Sequence, residues 1–412
     1  ITITQLANVL KPSQALAGFG NSSIWLIVAA FLFAKSFIKT GLGRRIAFWL
    51  ITKMGTSTLK LAYTIILSDL IISPATPSNA ARAGGILFPI VRGLASAFDS
   101  EPNKNPRRVG AFLIQAEYQG NTVTSAMFMT AMAGNPLAIL LASQALGINM
   151  TWGTWALAAI VPGLIALAVI PYYLYKVYPP ELKKTPEAQA LAQQELAEMG
   201  PISYAEKAVA FIFVGALLLW STSNLTGLNA TVVALLGVSS MLVTKILSWQ
   251  DVLDEKGAWD TLVWMGTLVG LAGQLAKSGV IDWMSGHISS ALVGVSWLAT
   301  LVILLLIYFY IHYGFASLTA HITALYSTFI TIAVAAGAPA YLAVLVFAFA
   351  SNLCMSLTHY AAAPAPIYFG AGYVPQSTWW KLGFQVSVIN IVIWFGIGSV
   401  WWKVLGLWYC LL

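Results

Sequence analysis

Residues 73–85 read SPATPSNAARAGG, between apolar stretches at 58–72 and 81–98. Two prolines, a Ser-Asn pair, an arginine and two glycines do not make a membrane-spanning helix. Pro74 and Pro77 remove backbone donors and break helical geometry, whereas Ser78 and Asn79 are residue types that cap a helix start. Each flanking arm is shorter than the roughly 20 residues that a bilayer crossing requires. The pattern predicts a re-entrant hairpin that enters and leaves on one side. Irregular backbone at membrane depth survives only where protein or a water-filled cavity satisfies it, so the tip at 73–80 is expected to line a cavity.

The rest of the chain supplies the membrane. Of 412 residues, 59% are hydrophobic and 8% charged, with mean hydropathy +0.80; soluble domains carry about 25% charged residues. Apolar runs recur at spanning length, and no alternating segments of barrel type appear. The composition predicts an all-α polytopic membrane protein. The net charge of +7 resides largely in short loops, notably EPNKNPRR (101–108) and YKVYPPELKK (175–184). Such clustering is read as cytoplasmic orientation, not as nucleic-acid binding. Cys354 and Cys410 have no metal-ligand spacing. Zinc, nucleophile-elbow and phosphate-loop motifs are missing, so neither an enzyme, a cofactor nor ATP-driven chemistry is expected.

Spans are expected at 22–40, 153–176, 207–223, 229–247, 259–278 and 382–408, with amphipathic pieces at 42–54 and 280–292. Interrupted spans are expected at 107–147, with the break near 118–138, and at 340–371, with the break near 351–366. A hydrophilic connection at 177–206 should carry a short surface helix.

The second half repeats the first. IKTGLGRRIAFW (38–49) matches AKSGVIDWMSGH (276–287), and SNAAR (78–82) lies over SLTAH (317–321), which aligns Arg82 with His321. Asn121 precedes Pro136 by 15 residues and Asn352 precedes Pro366 by 14. Broken segments from paired repeats meet at binding sites in secondary transporters. Two further spans precede the second repeat. The natural protein is therefore expected to carry about two more helices before residue 1, making five spans per repeat and inverting the second copy. The tips at 73–80 and 314–319 each precede a helix N-terminus, which favours an anion. Together they could hold the two ends of a small dianion.

SNAARAGGILFPI with QGNTVTSAMFMTAMAGNPLAI, and HYGFASLTAHITAL with SNLCMSLTHYAAAPAPIYFGAGY, resemble the divalent anion/sodium symporter family. Within it they are most similar to the bacterial and plastid 2-oxoglutarate/malate exchangers. The resemblance covers essentially the whole chain. It implies a homodimer in the cell membrane whose mobile transport domain works by an elevator motion against a scaffold. Residues 1–57 would be a scaffold helix and linker, 58–147 the first hairpin and broken helix, and 148–293 scaffold and connecting helices. Residues 294–371 would hold the second hairpin and broken helix, and 372–412 the last helix. The implied substrates are dicarboxylates such as 2-oxoglutarate, malate, succinate and fumarate. Substrate-binding candidates are Ser78, Asn79, Ser317 and Thr319 at the tips, and Asn121, Thr122, Ser351 and Asn352 in the broken helices.

The chain departs from the sodium-coupled members. They carry Ser-Asn-Thr at both tips and Pro-Pro-Asn in the broken helices; here the tips read Ser78-Asn79-Ala80 and Ser317-Leu318-Thr319, and the breaks Asn135-Pro136-Leu137 and Ala363-Pro364-Ala365. Oxygen ligands for a hard cation are missing, while Arg82, His321 and His359 stand nearby as candidate fixed replacements for sodium. An uncompensated arginine costs on the order of 3 kcal/mol in the bilayer centre, which would slow return of an empty carrier and favour sodium-independent exchange. The alternatives are a sodium-coupled symporter and a passive anion channel. Arg82 could instead pair structurally with Asp69 or Glu117. His287 and His312 are assigned no role.

Overall fold

In the computed structural model, residues 9–279 and 296–408 are described. Seven helices among them are long and apolar enough to cross a membrane when adjoining turns are counted in, three of these being arms of the two hairpins. The first, Ser22–Thr40, starts where the Asn21 side chain accepts from the Ser23 N–H and stops at Gly41, whose φ of 76° lies in the left-handed region. A left-handed stop without steric penalty is the usual role of glycine there. The amphipathic helix Leu42–Met54 follows. The expected piece at 280–292 lies outside the described residues.

The hairpins form at the two polar tips, the first of which carries Pro74 and Pro77. The first runs up Thr58–Ile72 and down through residues 81–97, with its tip between. At 1.5 Å per residue, the 15-residue ascending helix reaches about 22 Å, short of a roughly 30 Å hydrocarbon core. The second rises as Trp297–Tyr310 and descends from Leu318 to Ala335. Just past each tip the descending arm winds as π-helix, at Ala81–Leu87 and Ile322–Tyr326. Such segments concentrate at functional places in helices. The repeat thus extends from sequence to backbone.

Two broken helices form the centre. Gly110–Met127 is buried at every position, pauses at 128–133 and resumes as Gly134–Leu146. Ala340–Leu353 is buried from Leu342 onward, pauses over 354–363 and resumes as Pro364–Gly370. The first break is therefore narrower than the expected 118–138, because Tyr118–Met127 stays helical. Backbone freed at each break finds protein partners. Tyr118 Oη donates to the Met355 carbonyl at 2.6 Å and Gln119 Nε2 to that of Ser356 at 3.2 Å. Asn135 Nδ2 donates to the carbonyls of Ser125 and Phe128, each at 2.9 Å. The last long helix, from Gln376, comes so close that a Cβ on Gly383 would stand 2.3 Å from the Ser356 carbonyl oxygen.

The two basic loops lie side by side. Glu181 N–H donates to the Arg107 carbonyl at 3.1 Å, and the Arg107 guanidinium stacks 3.7 Å from the Tyr178 ring. The surface helix expected in 177–206 is Glu187–Glu198, which packs on Leu42–Met54.

Candidate functional site

Both tips and both breaks converge on one cavity of about 450 Å³. The first tip contributes Pro77, Ser78, Asn79 and Ala80, the second Ala316 to Thr319. The breaks supply Met132 to Gly134 on one side and Tyr360, Ala362, Ala363 and Pro366 on the other, with Phe31 and Thr261 closing it from outer helices. Among the described residues, no Asp, Glu, Lys, Arg or His lines it. The tips match atom for atom: Ser78 Oγ accepts from Ala81 N–H at 3.2 Å and Ser317 Oγ from Ala320 N–H at 3.3 Å. An anion here meets two helix starts and neutral hydroxyl and amide groups.

Four of the sequence candidates, Ser78, Asn79, Ser317 and Thr319, line this cavity. The other four lie behind it. Asn121 donates to the Asp69 carboxylate at 3.1 Å, and Thr122 Oγ1 to the Tyr118 carbonyl at 3.1 Å. Ser351 shares a 2.7 Å bond with Tyr308 Oη. Asn352 Nδ2 donates to Asn135 Oδ1 at 2.7 Å, joining the two broken helices.

Arg82 also stands behind the cavity, fully buried and saturated. Nε donates to Asp69 Oδ1 at 2.6 Å, and Nη1 to the Thr76 and Ala131 carbonyls at 2.8 and 2.9 Å. Nη2 donates to Ser125 Oγ at 2.9 Å and Thr124 Oγ1 at 3.4 Å. All five guanidinium N–H groups are thereby used. Asp69 carries the opposite charge and also accepts from Thr124. The uncompensated arginine expected from the sequence is thus a buried ion pair, so its transfer penalty no longer supplies a reason for exchange. The carbonyls it holds belong to a tip and a break.

The second repeat builds the same place without charge. His312 Nε2 donates to the Ala361 carbonyl of the second break at 2.9 Å. That leaves His312 Nδ1 as an acceptor, and His321 Nδ1 lies 2.8 Å from it. With both rings neutral, His321 donates from Nδ1 and its Nε2 carries no proton; that atom is buried and has no partner. Asp69 stands nine residues before Ser78, and Tyr308 nine before Ser317, its ring 4.3 Å from that of His321. His359 is half-buried outside the cavity lining and accepts from Trp380 Nε1 at Nδ1, 3.0 Å away, which an imidazolium could not do. His312, five residues before Ser317, carried no sequence signal because it aligns with Ser73, an unremarkable hydroxyl in the first repeat.

Comparison with known proteins follows the same lines. YflS of Bacillus subtilis, named for malate transport, is 49% identical over 99% of this chain and 86% of its own length. Dicarboxylate transporter 1, chloroplastic, of Arabidopsis thaliana is 44% identical over 98% of this chain and 73% of its own. In fold, the chain resembles MtrF of Neisseria gonorrhoeae with a TM-score of 0.65 at 12% identity, covering 97% of this chain and 84% of that one. The model of the sodium:sulfate symporter transmembrane region matches residues 1–408. With paired hairpins, paired broken helices and that match over nearly its whole length, the chain belongs to the sodium:sulfate symporter family of membrane transporters.

Proposed function

We propose that this protein carries small dicarboxylates across the cell membrane by sodium-independent exchange. The observation that carries the reading is the cavity between two serine-capped tips, a place for each end of an extended dianion. Relatives named for malate and dicarboxylate transport supply the substrate class. Sodium independence is supported by the occupants of the break carbonyls. The Ala131 oxygen is held by Arg82 and the Ala361 oxygen by His312, so donors that cannot leave stand where a hard cation would need oxygen ligands.

Exchange then follows from the membrane potential. Moving one charge costs about 2.3 kcal/mol per 100 mV. A bare dianion entering a negative interior therefore works against about twice that, whereas dianion-for-dianion exchange moves no net charge. The hairpins and broken helices are tied to one another by Arg82 to Ala131, Tyr118 to Met355 and Asn352 to Asn135. These ties support their moving as one body, in an elevator-type step against the outer helices of a homodimer.

The test is uptake of labelled dicarboxylate by purified protein in liposomes. Internal dicarboxylate should accelerate uptake equally in sodium and potassium media. Rapid filling of buffer-loaded vesicles only when sodium is supplied would establish the symporter; flux that neither saturates nor responds to internal substrate would establish a channel.

A further inference from the structure

We infer that the second hairpin and the second broken helix together form a binding site for a soft divalent cation, with zinc as the fitting ion. His312, His321 and Cys354 are fully buried and place their donor atoms within 4.8 Å of one another. Among the described residues this is the one group of three or more His, Cys, Asp or Glu so arranged. His312 comes from the ascending side of the tip, His321 from the descending side and Cys354 from the end of Ala340–Leu353.

The protonation pattern fits a ligand set. His312 Nε2–H is anchored on the Ala361 carbonyl at 2.9 Å, the kind of outer contact that fixes a metal-binding imidazole and aims its other nitrogen inward. His321 Nδ1 lies 2.8 Å from His312 Nδ1 and 3.9 Å from Cys354 Sγ. Only the proton shared between the two rings occupies the centre. His321 Nε2 is bare and buried without a partner, so it can take that proton as the ring changes tautomer. Cys354 then releases its thiol proton, now directed at the Ser351 carbonyl 3.5 Å away. One zinc ion enters, one proton leaves, and nothing is oxidised or reduced. Two nitrogens at about 2.0–2.1 Å and a thiolate at about 2.3 Å from zinc require donor spacings of about 3.3–3.8 Å. The rings would have to part by roughly half an ångström, and the thiolate, within 4.8 Å of both rings, to close on His312 by up to about 1 Å. A fourth position is left for water. The nitrogen and sulfur donors select zinc over sodium, magnesium or calcium, so the site is separate in chemistry from an alkali-cation site. It does not depend on what the cavity carries.

The experiment is X-ray absorption at the zinc edge on purified wild-type protein loaded with one equivalent of zinc, with equilibrium dialysis of wild type, Cys354→Ser and His312→Gln. The expected result is a shell of one sulfur and two imidazole nitrogens. Apparent affinity in either variant should fall by more than the roughly 10–100-fold that loss of an outer-shell partner alone produces. Zinc should also raise the unfolding temperature of wild type but not of Cys354→Ser. A zinc shell containing only nitrogen and oxygen, or wild-type binding no tighter than that of Cys354→Ser, overturns the site. The absorption spectrum is read on wild type, so failure of a variant to fold does not remove the test.

Discussion

The two hairpin tips share a backbone and differ in chemistry. Both carry a serine cap, a π-helical stretch and a donor on the carbonyl of the facing break. In the first repeat the residues nine before and four after the serine are Asp69 and Arg82, an ion pair; in the second they are Tyr308 and His321, a pair of rings in contact. Each is steadied from its broken helix, Asp69 by Asn121 and Tyr308 by Ser351. One scaffold therefore accepts a charged and an uncharged solution at equivalent places. The condition common to both is that every break carbonyl at that depth must have a donor.

The largest effect should come from breaking the charged solution. Arg82→Ala leaves Asp69 buried without its cation and is expected to cost about 3–5 kcal/mol, seen as a drop in unfolding temperature and loss of exchange. The Arg82→Met/Asp69→Leu double variant should recover part of that stability, since an apolar pair leaves no orphan charge, although the Thr76 and Ala131 carbonyls lose their donor. A double variant as unstable as Arg82→Ala would show that the charge pairing is not what holds the first tip.

Breaking the neutral solution should cost less. His321→Leu removes the donor to His312 and leaves one unsatisfied nitrogen, worth about 1–3 kcal/mol. A loss equal to that of Arg82→Ala in the same thermal assay would erase the distinction between the repeats. Smaller still, and equal on both sides, are the caps. Ser78→Ala and Ser317→Ala should each lose about 1 kcal/mol, and both should raise the dicarboxylate concentration needed for half-maximal exchange. Unequal shifts would mean that the two ends of the substrate are held differently.

The smallest effect belongs to a surface pair outside the tips. Lys39 meets Asp251 at 2.6 Å, and hydrogen bonds from Lys39 and Ser248 lower the Asp251 pKa to about 2. A lowered carboxylate contributes stability above its unfolded value of about 3.9 and loses it as pH falls toward the folded one. Lys39→Gln should therefore change unfolding by under about 1 kcal/mol at neutral pH, and the difference from wild type should shrink as pH falls from about 4 and vanish only below about pH 2.

Much of this organisation could be read from the residues. Pro74 and Pro77 announce the first tip, the basic loops announce a shared face, and Ser78 over Ser317 sets the repeat register that the π-helical stretches later follow. The position of Ser78, Asn79, Ser317 and Thr319 at the cavity was legible for the same reason: polar residues at the end of two short apolar arms fall at the tip. The four broken-helix candidates were not. Asn121, Thr122, Ser351 and Asn352 are the same residue types in the same kind of helix whether they face a cavity or a neighbouring carbonyl, and only packing distinguishes the two.

Sequence alone determined the class, the hairpins, the breaks and the repeat, because proline position, apolar length and serine caps act locally on the backbone. Tertiary structure decided the state of the charges. Arg82 and Asp69 are thirteen residues apart across a tip, and His312 reaches His321 around another; whether such groups face a substrate or cancel one another depends on which side chains the folded breaks bring within 3 Å.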